Sequence, residues 1–259
     1  MVCLALQKTV PIKTPPQHVK HPSLNNQTGN SGWPVVAHLV LGCLSSSLRR
    51  AVFFSYISVM KSVKPIIKDP NLKMVEEYLN RFSTDKRYSY GDSAILKLFK
   101  AFPDNKELEH IYLKVSIIND MYSTNLYGTF RMAEYILTLD IDEKLKKGDP
   151  SLVHAIATGH NIKIRNEEKG KDYNFYSFAT KYCNWHNQND YAIYDSFVER
   201  ILIAYRNKNS DFHFKNDDLK NFEKFKNIIH DFSRVYNLEN IDFKKIDKFL
   251  WMYAKDLYS

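Results

Sequence analysis

Lys181 is followed fourteen positions later by Asp195, and Tyr182, Trp185, His186 and Tyr194 lie beside them in the chain. Two consecutive helical patterns would present the lysine and the carboxylate. A cation and an anion flanked by flat side chains can hold a planar ring and stabilise positive charge developing next to it. That is the chemistry of cutting a base from a sugar. The same residues admit a structural reading. Phe178, Tyr182 and Trp185 recur at i, i+4 and i+7, as do Val198, Leu202 and Tyr205, so each helix has a core-facing stripe. Asp195 precedes an apolar-periodic run and can cap it by accepting from the N–H groups of residues 197 and 198.

The elements that must position these residues read as helices almost throughout. Leu108, Ile111, Val115, Ile118 and Tyr122 form one stripe and Leu113, Ile117 and Met121 an adjacent one, which predicts a helix buried on most sides. Further helices are expected at about residues 71–82, 92–101, 126–139, 149–158, 176–187, 195–207, 217–236 and 243–257, with turn chemistry at Pro103, Gly148-Asp149-Pro150, Gly159 and Gly170. No alternating strand pattern of useful length competes, and there is no internal repeat. The expected fold class is all-α.

The wording Ser177-Phe178-Ala179-Thr180-Lys181-Tyr182-Cys183, then Ile193-Tyr194-Asp195-Ser196-Phe197-Val198-Glu199-Arg200, resembles the helix-hairpin-helix DNA glycosylase superfamily. It is most similar there to a bacterial group described as 8-oxoguanine DNA glycosylase-like. Ile118-Asn119-Asp120-Met121-Tyr122-Ser123-Thr124-Asn125-Leu126 and the final Ile246-Asp247-Lys248-Phe249-Leu250-Trp251 extend the likeness over about residues 70 to 257. The resemblance implies a two-lobed helical domain. The first and last helices would share a lobe, and residues 107 to about 205 would supply the cleft. The superfamily's hairpin is Leu-Pro-Gly-x-Gly, whose glycines let backbone N–H groups approach a phosphate. Here residues 159–175 contain only Gly159 and Gly170, so the hairpin is degenerate. Lys163, Arg165, Lys169 and Lys171 stand in its place, as phosphate contacts or as a solvated charged loop.

The resemblance implies a mechanism. A base must be flipped out of the stack before its sugar carbon can be attacked. Asn125, with Tyr122 as a second candidate, would fill the gap or contact the strand; alternatively Ser123 or Thr124 caps the next helix and Asn125 lies in its first turn. Trp185, Tyr182, Tyr194 and His186 are candidates for holding the base, against core packing as the other reading. Asp195 would stabilise charge at the anomeric carbon and orient a water. Lys181 would be an amine nucleophile if burial lowers its pKa, and a phosphate contact if it stays exposed. The target is oxidised guanine or a modified base of phage DNA. The competing class is a non-catalytic helical module that binds nucleic acid or protein.

Composition sets the remaining bounds. Of 259 residues, 44% are apolar, ample for a packed core. Residues 1–59 contain no Asp or Glu, five Lys or Arg and five of the nine prolines, so the tail carries most of the net charge of +8. The body needs segregated charge to bind DNA. We read 1–59 as disordered or as a non-native leader, with a start at Met60, and 60–259 as the functional domain. The apolar runs near residues 35–44 and 48–59 fall short of a membrane span. Cys3, Cys43 and Cys183 form no Cys-x-x-Cys pair, which points to a reducing cytoplasm without zinc or disulfides. No phosphate-binding loop, dinucleotide fingerprint or nucleophile elbow is present. The expectation is a cytoplasmic monomer acting on DNA, without cofactor or metal and without a membrane.

Overall fold

The computed structural model describes residues 65–159 and 174–259, all within the compact unit Lys64–Ser259. The expectations for residues 1–59, and those for Lys163, Arg165, Lys169 and Lys171, lie outside the described residues.

The described chain is all-α. Ten α-helices follow one another: α1 Leu72–Thr84, α2 Lys86–Ala101, α3 Leu108–Tyr122, α4 Thr129–Thr138, α5 Asp142–Lys147, α6 Ser151–Thr158, α7 Tyr176–His186, α8 Ser196–Lys208, α9 Phe222–Val235 and α10 Phe243–Tyr258. A 3-10 turn, Asn216–Lys220, precedes α9. Caps set several starts. Asn71, Asp85, Asn221 and Asp242 each accept a backbone N–H from the first turn of the helix they open.

Helix α4 starts three residues later than expected, and three other differences have local reasons. Helix α2 begins six residues early because Asp85 caps it, and Gly91-Asp92 is accommodated inside the helix rather than ending what precedes it. Helix α5 is additional; its six residues carry one buried side chain, Leu145, too little for a period to register. The expected helix at 217–236 is split, because Asn221 ends the 3-10 turn and caps α9.

Packing brings the ends of this unit together. Helix α10 lies against α1 and α8, while α3 packs on α4, α6 on α7, and α2 bridges α1, α3 and α7. Bidentate Arg81–Asp256, at 2.5 and 2.9 Å, ties α1 to α10. Helix α7 runs through the middle. Nine of its residues, Tyr176 and Phe178 to Trp185, are buried, so it has no solvent face of the kind a stripe implies.

Candidate active site

Helix α7 and the turn into α8 are knitted together by polar groups inside the core. Thr180 Oγ1 accepts from Tyr194 N at 3.2 Å, and Asn184 Nδ2 donates to the Tyr191 carbonyl. Lys181 is 2% exposed, and its Nζ donates to Ser177 O at 3.3 Å, Ser177 Oγ at 2.6 Å and Tyr194 O at 3.0 Å. Burial pushes its pKa down to about 8, with Asp195 and Asp247 pulling the other way. These bonds hold the extended segment that delivers Asp195 to the first turn of α8. There the carboxylate caps the helix as expected, with Oδ1 accepting from Phe197 N and Val198 N at 2.9 Å each. Its side chain is half-buried and faces a cleft.

That cleft, of about 280 Å³, lies between the α1–α2 junction, the end of α3, α7 and the inner face of α10. Phe82, Tyr88, Trp185 and Trp251 supply aromatic walls, and Asp92, Asp195 and Asp247 are its carboxyl groups. Arg87, Lys244, Lys248 and Lys255 give it positive charge. Phe82 and Tyr88 stack at 5.5 Å, and Tyr88 meets Trp251 edge-on at 5.2 Å. Lys255 Nζ stands 4.7 Å from both the Trp251 and Tyr88 ring centres. The Lys248–Asp92 ion pair, at 2.5 Å, joins α10 to α2, and Lys244 donates to Gln188. Trp185 Nε1 donates to Tyr122 Oη at 3.0 Å, so both rings are fixed before any ligand arrives.

Asp195, Trp185 and Tyr122 therefore share one cleft, with Lys181 directly behind its wall. The other expected site residues are elsewhere. Tyr182 is fully buried behind α7, where its hydroxyl donates to Asn105 Oδ1 at 2.6 Å and its ring packs on Phe99 and Phe178. Asn105 Oδ1 also accepts from Lys114, another fully buried lysine, at 2.9 Å. His186 turns to Phe99 at 4.8 Å, and burial, with Lys114 nearby, pushes its pKa down to about 3. The Tyr194 side chain points away from the cleft to Glu199, Lys220 and Phe225; its backbone carbonyl is the part that serves the site. None of these three lines the cleft. Asn125 is exposed in a left-handed turn, φ 57°, while Asn119 braces that turn through Thr124 and Leu126. Helix α4 starts only at Thr129, so neither Ser123 nor Thr124 caps it and Asn125 is not in its first turn.

Sequence reasoning missed the α10 wall. Asp247, Lys248 and Trp251 lie on the final helix, whose apolar residues Ile246, Phe249, Leu250 and Tyr253 mark the buried face. An aspartate embedded in that face was the available signal. Asp247 is 5% exposed, accepts from Ile193 N at 3.3 Å, and is pushed up to about 7 by burial, with Asp195 adding to the effect. Its proton therefore stabilises the fold at low pH. This contribution is lost as pH rises through the folded pKa, with the decline running from the unfolded value near 3.8 to about 7. Asp247→Asn is accordingly expected to raise the unfolding temperature at pH 8 more than at pH 5, a difference worth roughly 2–3 kcal/mol. Thermal unfolding at the two pH values checks this; an equal shift at both would contradict it.

Among the described residues, no helix is long and apolar enough to cross a membrane. Residues 74–190 match the family model HI_0787_N, described as an N-terminal domain. That span holds α7 and most of the α2–α3 side of the cleft, and stops before Asp195. A Haemophilus influenzae (strain Rd) protein described as uncharacterized is 38% identical over 156 residues, covering 60% of this chain and 71% of the relative. No solved structure matches. The chain belongs to the family of that Haemophilus influenzae protein.

Proposed function

We propose that this protein is a DNA glycosylase that hydrolyses the N-glycosidic bond of a flipped-out base and leaves an abasic site. The observation that carries the reading is Asp195, a half-buried carboxylate fixed by two N–H bonds at the edge of an aromatic-walled cleft. As the bond to the base breaks, positive charge builds on the anomeric carbon. A carboxylate about 4 Å away contributes on the order of 4 kcal/mol at an effective dielectric near 20. Trp185 and Trp251 offer faces for a planar ring, and Arg87, Lys244 and Lys255 lie where a polyanionic strand could approach. The all-α architecture and the resemblance of the Lys181 and Asp195 segments to helix-hairpin-helix glycosylases support the same reading. It places the protein in the cytoplasm, acting on DNA as a monomer. Oxidised guanine and modified bases of phage DNA are the two target classes.

The test incubates the full chain with DNAs containing damaged bases and with phage genomes carrying modified bases, and detects free base by mass spectrometry. Release that Asp195→Asn abolishes supports the reading. Tight DNA binding with no release from any substrate would instead assign a non-catalytic binding module. Trp251→Ala removes one wall and is expected to weaken binding of DNA with an extruded target about tenfold, since a stacking contact is worth roughly 1–3 kcal/mol. Fluorescence anisotropy reads this, and unchanged affinity would remove Trp251 from the base pocket.

A further inference from the structure

Asp247 has a feature that its packing does not explain. It is almost completely buried, yet forms part of the cleft, and its two oxygens are treated differently. Oδ2 accepts the long 3.3 Å bond from Ile193 N, whereas Oδ1 is buried with no hydrogen-bond partner among the described residues. A buried polar atom left unpaired costs roughly 1–3 kcal/mol, which calls for a functional explanation. Asp195, in the same cleft, has the opposite surroundings: its Oδ1 takes two 2.9 Å bonds from the start of α8. One carboxyl is thus equipped as an acceptor held in place. The other is suited to carry a proton and lacks only something to give it to.

We propose that Asp247 is a catalytic acid, donating its carboxyl proton to an acceptor atom on the departing base. This inference rests on the glycosylase reading above. The Asp247 proton passes to a ring nitrogen or carbonyl oxygen of the base. The bond between the anomeric carbon and the base nitrogen breaks, and its electron pair leaves with the now neutral base. A water oxygen bonds to the anomeric carbon, and the water's proton goes to the Asp195 carboxylate. Asp247 finishes ionised and Asp195 protonated, and exchange with solvent resets both. The substrate class follows: neutral bases that leave poorly unless protonated, with an acceptor on the edge facing α10.

The groups around Asp247 bear on its titration from each neighbouring element. Asp195 at the start of α8 raises its pKa, while Lys181 on α7 and Lys248 on α10 lower it. Lys244 on α10 and Tyr122 on α3 feel its charge, and Asp92 on α2 is engaged by Lys248. Burial is the largest influence and keeps the acid available to about pH 7. Lys181 titrates near pH 8 and needs its own control.

The experiment measures single-turnover base release by the full chain from pH 5.5 to 9, on whichever DNA the panel identifies. The wild-type rate constant is expected to fall about tenfold per pH unit above pH 7. Asp247→Asn should be roughly a hundredfold slower at pH 6, with that decline absent. Lys181→Met should keep it. DNA carrying an N7-methylated purine, already cationic and needing no proton to leave, should show the smallest Asp247→Asn defect of any substrate cleaved. Thermal unfolding confirms that the variant is folded. A decline that persists in Asp247→Asn overturns the proton-donor role while leaving the glycosylase reading standing. Absence of release from every DNA by the wild-type chain overturns both.

Discussion

Asp195→Asn is expected to lower single-turnover base release about a thousandfold, with unfolding temperature and DNA affinity close to wild type. Asparagine retains the carbonyl oxygen that accepts from Phe197 N and Val198 N, and it caps helices about as well as aspartate. The fold and the placement of the side chain should therefore survive. What disappears is the negative charge beside the anomeric carbon, on the order of 4 kcal/mol, and a difference of that size is about three decades in rate. Asp195→Ala is the less informative variant, because it also removes the cap, at roughly 1 kcal/mol, and mixes stability with chemistry. If Asp195→Asn released base at the wild-type rate, the carboxylate would be a cap alone. The proposal of glycosylase chemistry at this cleft would then fail.

The parts of this site that were legible in sequence are those where local pattern and chemistry coincide. Asp195 preceding an apolar-periodic run specified its cap, its location at the start of α8 and its availability at a helix end. Lys181 was legible only as a residue of this helix: its sequence neighbours Ser177, Thr180 and Asn184 are polar, both a buried and an exposed amine were open, and the structure buries it. Which face of a buried helix meets a cavity is another matter. Tyr182 and Trp185 are three positions apart on α7; one is locked to Asn105 behind the helix and the other reaches the cleft and Tyr122. Spacing groups such residues on a stripe but carries no information about which neighbour covers them. The α10 wall was hidden for a related reason. Asp247 and Trp251 meet Asp195 and Trp185 only because the last helix packs back on α1 and α8, a long-range arrangement outside the reach of local periodicity. Tyr194 shows a third limit: its backbone carbonyl serves Lys181 while its ring goes to Phe225, and residue type indicates only the ring.

The same carbonyl decides what Lys181 can do. An ammonium has three N–H donors and no acceptor, and Lys181 commits all three, to Ser177 O, Ser177 Oγ and Tyr194 O. Attack on a sugar carbon requires a neutral amine with its lone pair directed into the cleft, and Lys181 does not line it. Burial brings its pKa to about 8, so roughly a tenth is unprotonated at pH 7, but the nitrogen remains held away from the reacting centre. The expected product is thus an intact strand with an abasic site, and borohydride should trap no covalent adduct with DNA at pH 7. Lys181→Met replaces the buried cation by an apolar chain of similar length and removes a desolvated charge, while Ser177 Oγ still donates to the Tyr194 carbonyl at 3.2 Å. It should leave a folded protein whose base release falls about tenfold, because the Tyr194–Asp195 segment loses its strut. An adduct trapped on the wild-type chain and lost in Lys181→Met would reverse this assignment. It would show that DNA binding breaks all three bonds and turns the amine onto the sugar, making the protein a lyase as well as a glycosylase.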